Sequence, residues 1–157
     1  MKRAICIFAF GLILLGAATA ASAQSSDPVI QGGVQGIELC PKFVCGLAIF
    51  SGVFQGQVGG NPNAVGIITA AMDHGELPTV VGGFTPITGG VWELRTFTRR
   101  IPGRVREGLI TYLGNDFFEI RILLDVRGGD GGFVAFRGIL NHNTLIPTFG
   151  GNVLQIP

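Results

Sequence analysis

The chain has 157 residues, with 11 lysines and arginines against 10 aspartates and glutamates. So even a balance offers no electrostatic case for nucleic acid or an anionic membrane as a partner. Its three cysteines have neither C-x-x-C redox spacing nor the ligand count of a structural zinc site.

Lys2 and Arg3 precede an apolar run from Ala4 to Ala18, and Ala21-Ser22-Ala23 supplies a small-residue cleavage pattern. This order predicts a signal peptide over 1–23, cleaved after Ala23, and a secreted or periplasmic protein. The run is shorter than the roughly 20 residues of a spanning helix. No second long apolar run follows, so no transmembrane helix is expected in the mature chain. The 134 residues that remain suit a single domain and carry nine basic and ten acidic groups. Cys6 leaves with the signal. Cys40 and Cys45 are then two thiols in an oxidising compartment with Pro41 between them, and a local disulfide is expected.

Residues 24–37, rich in Gln, Ser, Asp and Gly, read as a loose N-terminal lead to one all-β domain over 38–157. Strand and turn composition begins there. From Ala48 to Val58, Phe50, Phe54 and Val58 share one parity with Gly52 and Gly56, while Ser51, Gln55 and Gln57 share the other. That is the pattern of a half-buried antiparallel strand. Glycines between bulky rings also permit the sharp bending that barrels need. Further strands are predicted over 91–98, 108–113, 117–127 and 133–140. In 117–127 the acidic and basic residues Glu119, Arg121, Asp125 and Arg127 line one face. Turns are signalled at Gly59-Gly60-Asn61-Pro62-Asn63, Gly114-Asn115-Asp116 and Gly128-Gly129-Asp130-Gly131-Gly132. No helix is predicted.

A shift of 68 positions aligns Phe50 with Phe118, Phe54 with Ile122, Ile68 with Phe136, Met72 with Leu140 and His74 with His142. The pattern suggests an internal duplication, with candidate repeats 46–84 and 114–153. The expected fold is a single antiparallel barrel or sandwich of about six to eight strands, the barrel being preferred for its curvature. One Trp and one Tyr are too few for the aromatic girdles of an outer-membrane barrel.

Three groups of side chains are candidate sites. His74 and His142 have inward parity at matching strand ends. They suit either a proton-transfer or metal pair, or two rings hydrogen-bonded to the backbone of the turns that follow. Only Asp73 and Asn141 lie near in sequence as further ligands, so no metal is expected. Trp92, Phe50 and Phe54 are candidate cavity-lining residues, with Glu93 and Arg95 on the opposite face from Trp92. Gly90-Val91-Trp92 is similar to the G-x-W string of lipocalin-type barrels, but it falls mid-chain and the family is not carried over. Arg95, Arg99, Arg100, Arg104 and Arg106 surround Pro102-Gly103 and read as a solvated basic loop able to grip an anion.

No G-x-S-x-G, P-loop, dinucleotide fingerprint or glycosylation sequon is present. No cofactor is expected. The leading expectation is a non-enzymatic exported β-domain that binds a small ligand or a surface protein. The alternatives are a small-barrel enzyme using His74, His142, Glu93 or Arg95, and a structural envelope protein.

Overall fold

A computed structural model describes residues 29–126 and 132–156. The expected signal peptide and most of the 128–132 turn lie outside the described residues. Eight strands follow in chain order: β1 (Ile30–Cys40), β2 (Ala48–Val58), β3 (Asn61–His74), β4 (Phe84–Thr96), β5 (Arg100–Gly114), β6 (Phe117–Val126), β7 (Phe133–Asn141) and β8 (Thr148–Ile156). Each pairs antiparallel with the next. Gln31 to Ile37 of β1 pair with Leu154 to Thr148 of β8, which closes the sheet into an up-and-down barrel.

The strand expected at 48–58 is β2, with those bounds. Others are longer than sequence patterning indicates. The strand predicted at 91–98 overlaps the end of β4 but overruns it by two residues, and the one predicted at 108–113 is part of β5. Of the five arginines expected in a basic loop, Arg100, Arg104 and Arg106 belong to strand β5 and Arg95 to β4, and Arg99 alone lies in the β4–β5 turn. Pro102 pairs with Glu93 of β4 and precedes the first described β5–β6 pair, Gly103 with Val126, so its missing N–H breaks no described β6 ladder bond. The reading of 24–37 as a loose lead is corrected over its second half, where residues 30–37 form most of β1. Their inward positions are Ile30, Gly32, Val34 and Gly36, so two glycines interrupt the apolar alternation by which a strand is recognised. One turn of helix, α1 (Lys42–Cys45), was also not foreseen, and Gly46 ends it at φ 78.

Inward glycines set the shape of the wall. Gly32 lies opposite Gly56, Gly36 opposite Gly52, and Gly138 opposite Gly151. A Cβ on Gly52 would stand 2.7 Å from the Gln35 carbonyl oxygen and 2.9 Å from the Phe149 ring. Paired glycines thus bring adjacent backbones close and leave a floor on which aromatic rings lie. At the Asn115-Asp116 turn both residues have positive φ, 52° and 58°, the geometry of a tight two-residue hairpin.

Side chains from all eight strands fill the barrel. Phe54, Ile30, Leu94, Leu140, Val34 and Val134 are fully buried. Each such side chain contributes roughly 1.5–3 kcal/mol by leaving water. The residues matched by the 68-position shift occupy corresponding places: Phe50 and Phe118, Phe54 and Ile122, Met72 and Leu140 are all core. Their strands, β2 and β3 against β6 and β7, stand four places apart around the ring.

Connections alternate between the two ends. The β2–β3, β4–β5 and β6–β7 turns lie at one end. At the other lie the links β1–β2 (with α1), β3–β4, β5–β6 and β7–β8. The longest described links are at this second end, which we call the mouth.

Candidate functional site

The mouth gathers residues from three of its four links. Glu38 is an inward position near the end of β1, where the register with β2 slips between Glu38 and Cys40. His74 is the last residue of β3, at a second register slip. His142 follows β7 directly. Alternation along the strands aims all three toward the barrel axis. Together with Pro41, Lys42 and Phe43 around α1, and Gly75, Glu76 and Leu77 after β3, they line a pocket of about 600 Å³.

Glu38 and His142 meet in this pocket through a hydrogen bond. His142 Nε2 lies 2.9 Å from Glu38 Oε2, and the Glu38 side chain is only 3% exposed. Backbone bonds hold both ends: Glu38 N–H donates to the Pro147 carbonyl and His142 N–H to the Asp116 carbonyl, each at 2.9 Å. The Phe118 ring stands edge-on to the His142 ring with centroids 5.3 Å apart. His74 is also buried, and its Nδ1 lies 2.6 Å from the Gly75 carbonyl oxygen. A carbonyl only accepts, so Nδ1 carries the proton in the neutral ring.

On the rim, Lys42 bonds the His74 carbonyl oxygen and pairs with Asp73 at 2.5 Å. The Lys42 ammonium, by hydrogen bond first, lowers the Asp73 carboxyl below the ordinary aspartate value, against a smaller desolvation effect. Cys40 and Cys45 form the expected disulfide, with Cα atoms 6.1 Å apart, and it brackets α1 over the pocket. Among the described residues no group of three or more His, Cys, Asp or Glu could hold a metal ion.

The two histidines singled out by parity therefore meet at one pocket. His74 takes the expected backbone partner; His142 takes Glu38 instead. Glu38 was missed, although its parity with Ile30 and Val34 places a carboxylate on an inward face. That signal is readable only once residues 30–37 are recognised as strand.

The other candidates lie elsewhere. Glu93 and Arg95 are on the outer wall. Glu93 binds Arg95 at 2.8 Å and Arg100 at 2.7 Å, and those guanidiniums, Arg100 foremost, lower its carboxyl below the ordinary glutamate value. Arg99 packs over Gly59 in the β2–β3 turn, at the end opposite the mouth. The Arg104 and Arg106 positions flank Asp125, which accepts from Arg104 N–H at 2.6 Å and pairs with the Arg106 guanidinium at 2.7 Å. Trp92 is buried, with its indole N–H donating to the Asp125 carbonyl at 2.8 Å. Phe50 and Trp92 border an apolar interior cavity of about 50 Å³, whereas Phe54 is packed solid. That volume is about a third of the ~150 Å³ cavity that admits benzene.

Comparison with protein-family models, with curated proteins and with solved structures gives no match.

Proposed function

We propose that this chain is an exported β-barrel domain that binds a small ligand in the pocket at its mouth. One observation carries the reading. The barrel interior is filled by its own side chains, while the mouth holds about 600 Å³ of space over buried, convergent polar groups. That volume falls within the range of small-molecule sites, and so does the mixture of apolar wall and few polar groups. Phe43 and Leu77 supply the wall; Glu38, His74 and His142 supply the polar groups.

The test is a thermal-shift screen across lipids, sugars, metals and aromatic compounds. A true ligand stabilises by RT ln(1 + [L]/Kd), and Phe43→Ala should reduce that shift without moving the unliganded melting temperature. No shift with any class, or a shift indifferent to Phe43→Ala, would overturn the reading.

A surface partner is a second reading with its own observation. Phe43, Val44, Val80, Val81, Leu145 and Ile146 all project from mouth links and are between 55% and 102% exposed. Apolar groups clustered on one rim mark association surfaces. Closure of β1 onto β8 leaves no free sheet edge to template such association, so it would run through these side chains. Light scattering with the full chain, alone and with candidate partners, tests this. A monomer at every concentration that captures nothing would sink it.

A further inference from the structure

We propose that the mouth pocket is a general-base site, in which His142, positioned by Glu38, removes a proton from a neutral, flat, weakly acidic molecule. The inference rests on the pocket being a ligand site and adds a reaction to it.

The arrangement of hydrogen bonds carries it. Glu38 accepts at His142 Nε2 at 2.9 Å, so Nε2 bears a proton in the neutral ring and Nδ1 holds the free lone pair. Among the described residues Nδ1 has no hydrogen-bond partner, and no buried side-chain nitrogen or oxygen is left unpartnered there. Nδ1 is thus the nitrogen left for a ligand, on a side chain that is 22% exposed and lines the pocket. A carboxylate behind the imidazole fixes its tautomer and stabilises the cation that forms when the ring takes a proton. His74 supplies the complement. Its Nδ1 proton is committed to the Gly75 carbonyl, which leaves Nε2 as an acceptor for a ligand N–H or O–H.

The pocket also defines what is bound. Lys42 is engaged by Asp73 and the His74 carbonyl, so among the described residues lining the pocket no lysine or arginine is left free for an anion. Glu38 beneath the pocket repels anions further. The exposed ring of Phe43 and the Leu77 side chain offer flat apolar surface. A neutral planar molecule with an acidic C–H or O–H fits this set.

The probe is 5-nitrobenzisoxazole, whose ring opens on loss of one proton. His142 Nδ1 takes the proton from C3. The C–H electron pair forms the nitrile, the N–O bond breaks, and its electrons leave on the phenolate oxygen. The imidazolium then returns the proton to water, and no other reactant is needed. The full disulfide-bonded protein is expected to open the ring at least about tenfold faster than imidazole at equal concentration, and His142→Gln to lose about 100-fold, within the span of general-base effects. Glu38→Gln keeps the shape of the side chain but not its charge. It should lower the rate about tenfold and displace the pH–rate profile, which a merely structural role would not do. Far-ultraviolet dichroism confirms that both variants fold.

Binding of the inert isostere 5-nitroindazole, followed through the Phe43 ring resonances, separates the two claims. If the isostere binds and the protein reacts no faster than imidazole, or His142→Gln is as fast as the parent, the base assignment is overturned while the binding reading stands. If neither compound engages the pocket, both fall for flat aromatic ligands.

Discussion

Glu38 and His142 are 104 positions apart in the chain and 2.9 Å apart in the barrel. The bond ties the end of β1 to the start of the β7–β8 link. Its two partners are not equally dispensable. Removing the imidazole leaves a buried carboxylate without its hydrogen-bond donor, and the desolvation penalty of that charged group costs about 3 kcal/mol. Glu38→Gln leaves a neutral amide in place of the charge and should cost about 1–2 kcal/mol. Urea unfolding should therefore place His142→Ala below Glu38→Gln in midpoint, with equal m-values.

An inward and an outward glycine allow a paired comparison within one region of the wall. A methyl on Gly52 would meet the Gln35 carbonyl oxygen and the Phe149 ring, whereas nothing lies within 4 Å of a Cβ on Gly33. Gly52→Ala should destabilise by about 1–3 kcal/mol through overpacking. Gly33→Ala should be neutral or stabilise by up to about 1 kcal/mol through the unfolded chain. Equal melting temperatures for the two variants would contradict the packing described.

Acid should weaken the outer wall. Arg121 and then Arg137 hold the Glu119 carboxyl below its ordinary value, as Arg100 and Arg95 do for Glu93. A carboxyl with a depressed folded-state pKa contributes stability that is present above its unfolded value and lost as pH falls through the folded one. The melting temperature should thus drop on acidification from about pH 5 to pH 3. The drop should shrink in Glu119→Gln and in Glu93→Gln, and in high salt, because these pairs are near the surface.

Reduction of the Cys40–Cys45 disulfide should separate the mouth from the barrel. The closed loop is short, so the loss is about 2 kcal/mol. None of α1 is buried, so the barrel should survive. Trp92 is the chain's one tryptophan, and it is buried far from α1 in sequence. Its emission should stay blue-shifted on reduction while ligand-induced stabilisation falls. A red shift on reduction would show that the disulfide holds the barrel itself.

Much of the architecture is legible in the residue order because a barrel wall repeats with period two. Phe50, Phe54 and Val58 announce β2, and the parity of His74 and His142 already points both rings inward. What is hidden has specific causes. Gly32 and Gly36 erase the apolar half of the alternation in β1, so that strand reads as a lead, and Glu38 is lost with it. Pro102 and the arginines imitate a loop, although the outer wall takes the arginines and the end of the β5–β6 ladder takes the proline. Trp92 reads equally as cavity lining or core, since sequence cannot show that Asp125 offers its carbonyl to the indole. The meeting of Glu38 with His142 depends on closing the ring, a long-range event that no local pattern encodes.

Among the described hydrophobic residues of the mouth links, Leu77 alone packs against the barrel core, and His142 reaches it through the Phe118 ring. Apart from Glu38, His74, His142 and Leu77, the groups that would meet a ligand thus stand outside the packing that folds the domain. A change in the links at 41–47 or 75–83, Leu77 apart, alters the lining of the pocket and touches little of the packing. Selection for a different ligand could rewrite the mouth while the eight strands stay as they are, and a designer could do the same.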